Sequence, residues 1–174
     1  DTGFGEAWQV MRTVRAYERE GLAGLHLEDQ VMPKRCGHLD GKSVIGIEAM
    51  QRKIAAACEA RQDPDFMIIA RCDARAVAGF AESVERGRRY LEAGADAIFA
   101  EAMQSRDEFA RYADEVGGAL LANMTEFGKS PHLTVDEFAA LGYRMVIFPM
   151  SAFRAMMKTV EELFRELRQK GTLV

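Results

Sequence analysis

The sequence predicts an α/β fold built on a parallel sheet, of the (β/α) barrel type. Five short, continuously apolar segments alternate with amphipathic, helix-like segments, a pattern typical of parallel strands that are buried on both faces. Each apolar segment also ends in a polar or charged group, as expected where strands open into the mouth of a barrel. An open doubly wound sheet shows the same alternation, but it more often gathers its reactive groups at one switch point. The barrel is therefore favoured.

The period of the apolar residues predicts where each element lies. Strands rich in Ile, Leu, Val and Phe are predicted over residues 22–28, 66–71, 95–101, 119–123 and 145–148. Helices are predicted over residues 8–20, 47–60, 78–93, 106–116 and 152–170. A further helix begins at Thr134, because Glu137 stands three residues later and completes a capping box.

Length and composition fit one globular domain. The chain has 174 residues, of which 48% are apolar and 29% are charged, and this is enough for a sizeable core. Its formal net charge of −4 argues against nucleic acid as a partner. We also expect no membrane partner, because the sequence has no basic amphipathic helix and no apolar run of ~18 residues.

The cysteines indicate a reducing compartment. The chain has three, Cys36, Cys58 and Cys72, and they are widely spaced. An odd number without a pairing pattern fits free thiols better than a disulfide framework, so a cytoplasmic location is predicted. Cys58 falls on the apolar face of a predicted helix, where a packing role is expected.

Residues 34–38, Lys-Arg-Cys-Gly-His, are the segment most suggestive of chemistry. Cys36 stands among Lys34, Arg35 and His38, and nearby positive charge favours the reactive thiolate. Gly37 would let a ligand approach the backbone closely. The alternative is a solvated basic loop with an incidental cysteine, and the pentapeptide alone does not decide between the two.

Polar side chains stand at the C-terminal end of every predicted strand, where barrel enzymes gather their reactive groups. They are Glu28, Arg71 with Asp73, Glu101, Asn123 with Thr125, and Arg154 after a Pro-Met-Ser turn. His26 lies within the first strand and is expected to be a hydrogen-bonded core residue. A nucleotide cofactor is not expected, because no GxGxxG and no Walker motif occurs.

Six short motifs together resemble a known family. They are DTGFG at residues 1–5, LHLEDQ at 25–30, KRCGH at 34–38, Ala-Arg with an aspartate at 70–73, Glu-Ala at 101–102 and NMTEFG at 123–128. In this order and spacing they resemble the isocitrate lyase and phosphoenolpyruvate mutase superfamily, and within it the 2-methylisocitrate lyases. Two departures are local: Cys72 stands where a threonine is usual, and Ala100 where a proline is usual.

The resemblance implies a TIM-type (β/α)₈ barrel, a Mg²⁺ cofactor and a homotetramer with exchanged C-terminal helices. Residues 1–174 would then form a partial catalytic barrel domain with about the last five βα units. The N-terminal units, with a Ser-Gly-Gly substrate loop and a further metal-binding aspartate, would lie outside the sequence. So would a C-terminal extension with another substrate-binding arginine.

The resemblance also implies a reaction, the cleavage of 2-methylisocitrate into pyruvate and succinate in propionate breakdown. Asp1 and Glu28 would serve the metal, with Glu28 and Glu101 holding metal-bound water. Cys36 would give a proton to the succinate carbanion, aided by Lys34 and His38.

The same resemblance implies how a di- or tricarboxylate substrate is held. Its contacts would come from Cys36, Gly37, Arg71, Glu101, Asn123, Thr125 and Arg154. Without the family, a frayed terminal residue is the favoured interpretation of Asp1. Arg154 is likewise consistent with a solvated arginine on a helix face.

Several functions stay open at this stage. Related lyases cleave isocitrate or 2,3-dimethylmalate, and more distant members act on phosphonates or decarboxylate oxaloacetate. Cys36 favours a lyase, since those distant reactions need no such proton donor. A non-enzymatic alternative is a truncated barrel that serves as an assembly subunit.

Overall fold

The computed structural model of the chain describes residues 1–173 and confirms the predicted parallel sheet. Within that range five parallel strands lie side by side in sequence order. They are β1 (Gly24–Glu28), β2 (Met67–Cys72), β3 (Ala97–Ala100), β4 (Ala119–Asn123) and β5 (Met145–Ile147). Sequential order without a reversal is the arrangement of a barrel wall, whereas a doubly wound sheet turns back at its switch point.

The helices follow the predicted periods with one exception. The seven in the described residues are α1 (Ala7–Arg19), α2 (Ile47–Ala60), α3 (Arg75–Ala78), α4 (Phe80–Glu92), α5 (Arg106–Val116), α6 (Val135–Ala140) and α7 (Ser151–Lys170). The helix predicted over residues 78–93 is in fact preceded by the short α3. The break falls at Gly79, whose φ of 93° lies outside the helical range and favours glycine.

The hydrophobic core lies on one face of the sheet. Alternate strand residues such as Leu27, Ala70 and Ile98 are buried against α1, α2, α4 and α5, as the two-residue period of a strand requires. The intervening residues, among them His26 and Phe99, lie on the opposite face, which is the inner face of a barrel wall. The chain therefore forms part of a TIM-type barrel.

The interpretation of His26 as a core residue is wrong. Its side chain is 38% exposed on the inner face, with Nε2 3.7 Å from Glu28 Oε1 and its ring 5.6 Å from that of Phe99. The alternation of Leu25 and Leu27 with His26 and Glu28 in fact places His26 on the face of Glu28, opposite the two core leucines.

Helix α7 differs from the other long helices of the described chain, α1, α2, α4 and α5, all of which bury residues. It carries no buried residue, and its apolar side chains Phe153, Met156 and Phe164 are exposed. Although it is 20 residues long, it lacks the apolarity of a bilayer-crossing helix, as do all other helices across residues 1–173.

Helix α6 begins at the predicted capping box. The Thr134 hydroxyl accepts a hydrogen bond from the Glu137 backbone N–H, and the Glu137 carboxylate accepts one from the Thr134 N–H. This cap directs Phe138 into an aromatic cluster, where its ring packs edge-on at 5.0 Å from Phe109 and 5.4 Å from Tyr143.

We predict that Phe138→Ala destabilises the full-length protein by about 3–5 kcal/mol, because it empties a fully buried site. Urea unfolding followed by circular dichroism measures this change. Val135→Ala, on the same helix but 55% exposed, is the matched control and should stay within about 0.5 kcal/mol of the parent. Equal effects of the two substitutions would contradict the assignment of this cluster to the core.

Candidate active site at the strand ends

The register of the sheet brings the predicted polar strand ends together. Glu28 pairs with Arg71 across β1 and β2, and Arg71 NH1 lies 3.9 Å from Glu28 Oε1. On the other side Arg71 NH2 lies 3.7 Å from Glu101 Oε1. Asn123 Nδ2 donates to Glu101 Oε2 at 3.2 Å. Four successive strand ends thus form one connected cluster around Arg71.

Arg71 is held rigidly in this cluster. Its Nε donates to Asp73 Oδ2 at 3.0 Å and its NH2 to Asp73 Oδ1 at 3.3 Å, while its guanidinium carbon stands 4.9 Å from the centre of the Phe99 ring. Burial alone would lower the pKa of Arg71, but the carboxylates of Glu101, Asp73 and Glu28 raise it above its ordinary value. Arg71 is therefore always charged.

Glu28 is a buried carboxylate that stays ionised. Its side chain is 2% exposed, and Lys34 Nζ lies 2.7 Å from its Oε2. Burial by itself would raise the pKa of Glu28, but the contacts with His26, Arg71 and Lys34 lower it well below the ordinary value. Lys34, predicted beside the Cys36 thiol, thus contacts the Glu28 carboxylate.

The loop with Cys36 is anchored to the strand ends. The side chain of Gln30 accepts from the Arg35 N–H at 2.8 Å and donates to the Arg35 carbonyl at 2.9 Å. Further along the loop, a Cβ atom at Gly37 would overlap the Glu101 carboxylate and lie 2.5 Å from Arg71 NH2. The glycine was expected to admit a ligand, and it also admits these two side chains of the protein itself.

Cys36 and His38 occupy different environments on this loop. Cys36 is exposed, and in residues 1–173 its side chain makes no hydrogen bond or ion pair. His38 Nε2 lies 3.1 Å from Glu101 Oε1, and its Nδ1 accepts from the Lys129 N–H at 2.9 Å. Burial, with Lys42 and Arg71 nearby, lowers the pKa of His38 despite the opposing charge of Glu101. A neutral His38 whose Nδ1 accepts a hydrogen bond carries its proton on Nε2.

Thr125 and Arg154 lie on a neighbouring part of the site. Arg154 NH1 donates to the Glu126 carbonyl at 2.6 Å and lies 3.2 Å from Glu126 Oε2, with the guanidinium carbon 4.8 Å from the Phe127 ring centre. The Thr125 carbonyl accepts from the Gly128 N–H at 3.3 Å. Lys129 joins this segment to the Cys36 loop through His38, so the two residues border the Arg71 cluster without entering it.

Two carboxylates offer hard oxygen donors for a metal. Asp1 is paired along the edge of β1, where its carbonyl accepts from the Glu28 N–H at 3.0 Å, and its side chain is 41% exposed. Within residues 1–173, however, no three His, Cys, Asp or Glu side chains are grouped as a ligand set. The carboxylate oxygens of Asp1 and Glu28 are of the donor type that Mg²⁺ prefers when it keeps several of its waters.

Sequence reasoning missed a second buried network behind the cluster. Asp29 accepts from the Asp73 N–H at 2.8 Å, from the Tyr90 hydroxyl at 2.8 Å and from Arg86 NH1 at 3.2 Å. Burial above all raises the pKa of Asp29. Lys42, whose Nζ lies 3.2 Å from Asp73 Oδ1, was missed as well. Asp29 adjoins Glu28 in sequence, which is a usable signal, whereas nothing in the sequence marks Lys42, Arg86 or Tyr90.

Comparison with known proteins places the chain in a family. The family model described as phosphoenolpyruvate phosphomutase matches residues 1–168. The chain belongs to this family. A 2-methylisocitrate lyase of Aeropyrum pernix is 56% identical over 172 residues, which are 99% of this chain and 55% of that protein. A 2,3-dimethylmalate lyase of Eubacterium barkeri is 47% identical over 99% of this chain and 60% of its own length. The chain thus spans little more than half of these relatives.

Solved structures agree with the family and the fold. Oxaloacetate acetylhydrolase bound to 3,3-difluorooxalacetate superimposes with a TM-score of 0.95 and 38% identity over 99% of this chain and 59% of that one. A 2,3-dimethylmalate lyase, described as a PEP mutase/isocitrate lyase superfamily member, superimposes with a TM-score of 0.95 and 38% identity. The match covers 99% of this chain and 58% of that one. Phosphonopyruvate hydrolase in complex with oxalate and Mg²⁺ superimposes with a TM-score of 0.85 and 37% identity. The match covers 99% of this chain and 60% of that one. The predicted superfamily is confirmed.

We predict that Gly37→Ala displaces the Cys36 loop and destabilises the full-length protein by about 1–3 kcal/mol, the usual range for overpacking. Gly46→Ala is the matched control, because its added Cβ meets only the Glu48 carboxylate at 3.8 Å and its φ of −60° suits alanine. Urea unfolding compares the two variants. If Gly37→Ala were as stable as Gly46→Ala, the loop would not lie against Glu101 and Arg71.

Proposed function

We propose that this chain carries the active site of a magnesium-dependent carbon–carbon lyase that cleaves 2-methylisocitrate to pyruvate and succinate in propionate breakdown. The main support is the cluster of Glu28, Arg71, Glu101 and Asn123 at four successive strand ends, beside a loop that carries an exposed thiol. The Arg71 guanidinium and the hydrogen-bonding groups around it can bind the carboxylates of a polycarboxylate substrate. A thiol can donate a proton to a carbanion.

Arg71 is the proposed carboxylate-binding residue. Its NH1 makes no hydrogen bond in residues 1–173 and stands 3.9 Å from Glu28 Oε1. This nitrogen therefore has free N–H groups for a substrate carboxylate. Asn123 and His38 offer further groups, because Asn123 Oδ1 and His38 Nε2 are buried without a hydrogen-bond partner in the described part of the chain.

Cys36 is the proposed proton donor. The 2-hydroxyl group gives its proton to water, its oxygen forms the carbonyl of pyruvate, and the carbon–carbon bond breaks. The electron pair of that bond remains on the succinate carbon, which takes the proton of the Cys36 thiol. The thiolate then regains a proton, so no oxidant or reductant is needed.

The charges of the cluster support a metal cofactor. Glu28, Asp73 and Glu101 face three cations, Arg71, Lys34 and Lys42, so the cluster is formally balanced without substrate. A substrate with two or three carboxylates adds negative charge that a divalent cation would offset. Asp1 and Glu28 would hold Mg²⁺, which when bound acts as a Lewis acid on the developing keto oxygen.

The second candidate is a lyase for 2,3-dimethylmalate or isocitrate. It is favoured by the 47% identity to a 2,3-dimethylmalate lyase, and the two substrates make similar demands on Arg71 and Cys36. Hydrolysis or transfer at phosphorus and decarboxylation are less favoured, because they leave Cys36 without a role. A non-catalytic assembly subunit would have no need of the intact polar strand ends.

Two further properties belong to the proposal. Helix α7, which exposes Phe153, Met156 and Phe164, would pack on another subunit of a homotetramer. The three free cysteines support a cytoplasmic location, where thiols stay reduced.

Steady-state kinetics of the full-length protein on 2-methylisocitrate, isocitrate and 2,3-dimethylmalate tests the proposed substrate. We expect kcat/KM to be highest for 2-methylisocitrate by at least about tenfold, the discrimination that one methyl group allows. Preference for 2,3-dimethylmalate would establish the second candidate. Absence of cleavage of all three compounds would exclude a lyase.

We predict that Cys36→Ser lowers kcat at least about 100-fold while KM changes little, because a serine hydroxyl is a far poorer acid near neutral pH. Cys58→Ser is the matched control, since Cys58 lies on α2 and donates to the Gly94 carbonyl. It should retain kcat. Iodoacetamide should also label Cys36 faster than Cys58, and a Cys36→Ser variant with parental kcat would remove this thiol from the mechanism.

We predict that EDTA abolishes turnover and that Mg²⁺ or Mn²⁺ restores it, whereas Zn²⁺ restores it poorly because the donors are oxygens. Isothermal titration of Mg²⁺ into the chelated protein, with Glu28→Gln as comparison, measures binding separately from activity. Full turnover after exhaustive chelation would refute the metal assignment.

A further inference from the structure

Lys42 is a buried cation in the second half of the Cys36 loop, before helix α2 begins. Its side chain is 1% exposed. Its Nζ donates to the Gly37 carbonyl and lies 3.2 Å from Asp73 Oδ1. One ammonium group thus joins the middle of the loop to the residue that follows β2.

Asp73 is itself fixed from behind. Its backbone N–H donates to Asp29 Oδ1, and Asp29 Oδ2 accepts from Tyr90 and Arg86 of helix α4. Arg86 also donates to the Ile45 carbonyl at 2.8 Å, just past the end of the loop. The network therefore runs from an outer helix to both the Gly37 carbonyl and the Arg71 guanidinium.

The negative charge of Asp73 does not by itself explain why a lysine is buried at position 42. Arg71 already donates two hydrogen bonds to the Asp73 carboxylate, so Asp73 has a partner of opposite charge without the lysine. What Lys42 adds is the bond to Gly37, the residue that lies against Glu101 and Arg71 without room for a Cβ atom.

We propose that Lys42 is a positioning residue that, held by Asp73, fixes the Cys36–Gly37–His38 segment against Arg71 and Glu101. It touches none of the reacting atoms and acts through the Gly37 carbonyl. The proposal rests on the proposed function only for its effect on turnover, because its effect on the loop is independent of any substrate.

The test is Lys42→Met in the full-length protein, which keeps the unbranched side chain out to Cε and removes the Nζ ammonium with its charge and donors. Amide hydrogen exchange of residues 36–39, where the Leu39 N–H donates to the Cys36 carbonyl at 3.0 Å, should become at least about tenfold faster. Turnover of 2-methylisocitrate should fall at least about tenfold in kcat, since misplaced groups lose effective concentration. Exchange in α5 should not change.

Arg61→Met is the matched control. Arg61 also pairs with an aspartate and a backbone carbonyl, Asp96 Oδ2 at 2.6 Å and the Phe66 carbonyl at 2.9 Å, but at the opposite end of β2. Its loss should leave kcat and exchange at residues 36–39 unchanged. Equal exchange at residues 36–39 in Lys42→Met and Arg61→Met would overturn the proposal.

A third variant covers the case in which Lys42→Met does not fold. Lys42→Gln is uncharged and one atom shorter, so it cannot hold the Gly37 carbonyl and the Asp73 carboxylate together, and it should show the same direction of change in loop exchange. Parental exchange in a folded Lys42→Gln protein would also overturn the proposal. If no substrate is cleaved by the parent protein, the proposed function fails while the exchange comparison still decides the role of Lys42.

Discussion

The buried charge of Arg71 is the constraint on which the rest of the site depends. A guanidinium at the end of a central strand has lost most of its water and is tolerated only beside anionic partners. Each neighbouring element supplies one: Glu28 from β1, Asp73 after β2 and Glu101 after β3. Because parallel register sets which strand ends are adjacent, the sheet itself brings these charges within reach of one another.

Those carboxylates in turn explain the other basic side chains of the site. Lys34 contacts Glu28, Lys42 contacts Asp73 and His38 contacts Glu101. All three come from the single loop after β1, so the loop is drawn onto the strand ends at three points. Gly37 lies between these points, where a larger residue would meet Glu101 and Arg71. The composition of KRCGH is thus explained by the packing of its own loop as well as by chemistry.

The sequence predicted the strands and the polar strand ends because both depend on local pattern. Glu28, Arg71, Glu101 and Asn123 come together since C-terminal ends of parallel strands share one edge. What could not be predicted depends on the path of loops through space. Lys42 is separated from Asp73 by 31 residues and Asp29 from Tyr90 by 61. The periodic pattern of apolar residues in the sequence does not indicate contacts between residues so far apart. The prediction for His26 is wrong because it treats β1 as one apolar run, whereas Leu25 and Leu27 alternate with His26 and Glu28 and lie on the other face.

The two loops of the site are coupled through a backbone amide. The Lys129 N–H donates to His38 Nδ1, and Lys129 Nζ lies 2.5 Å from Asp40. The amide therefore selects the His38 tautomer, leaving Nε2 as a donor next to Glu101 and facing the Arg71 cluster. Because the donor is a backbone group, the His38 tautomer depends on the backbone conformation of residues 125–129 and not on the side chain of Lys129. The proton that His38 presents is thus set by the segment that also carries Thr125 and meets Arg154.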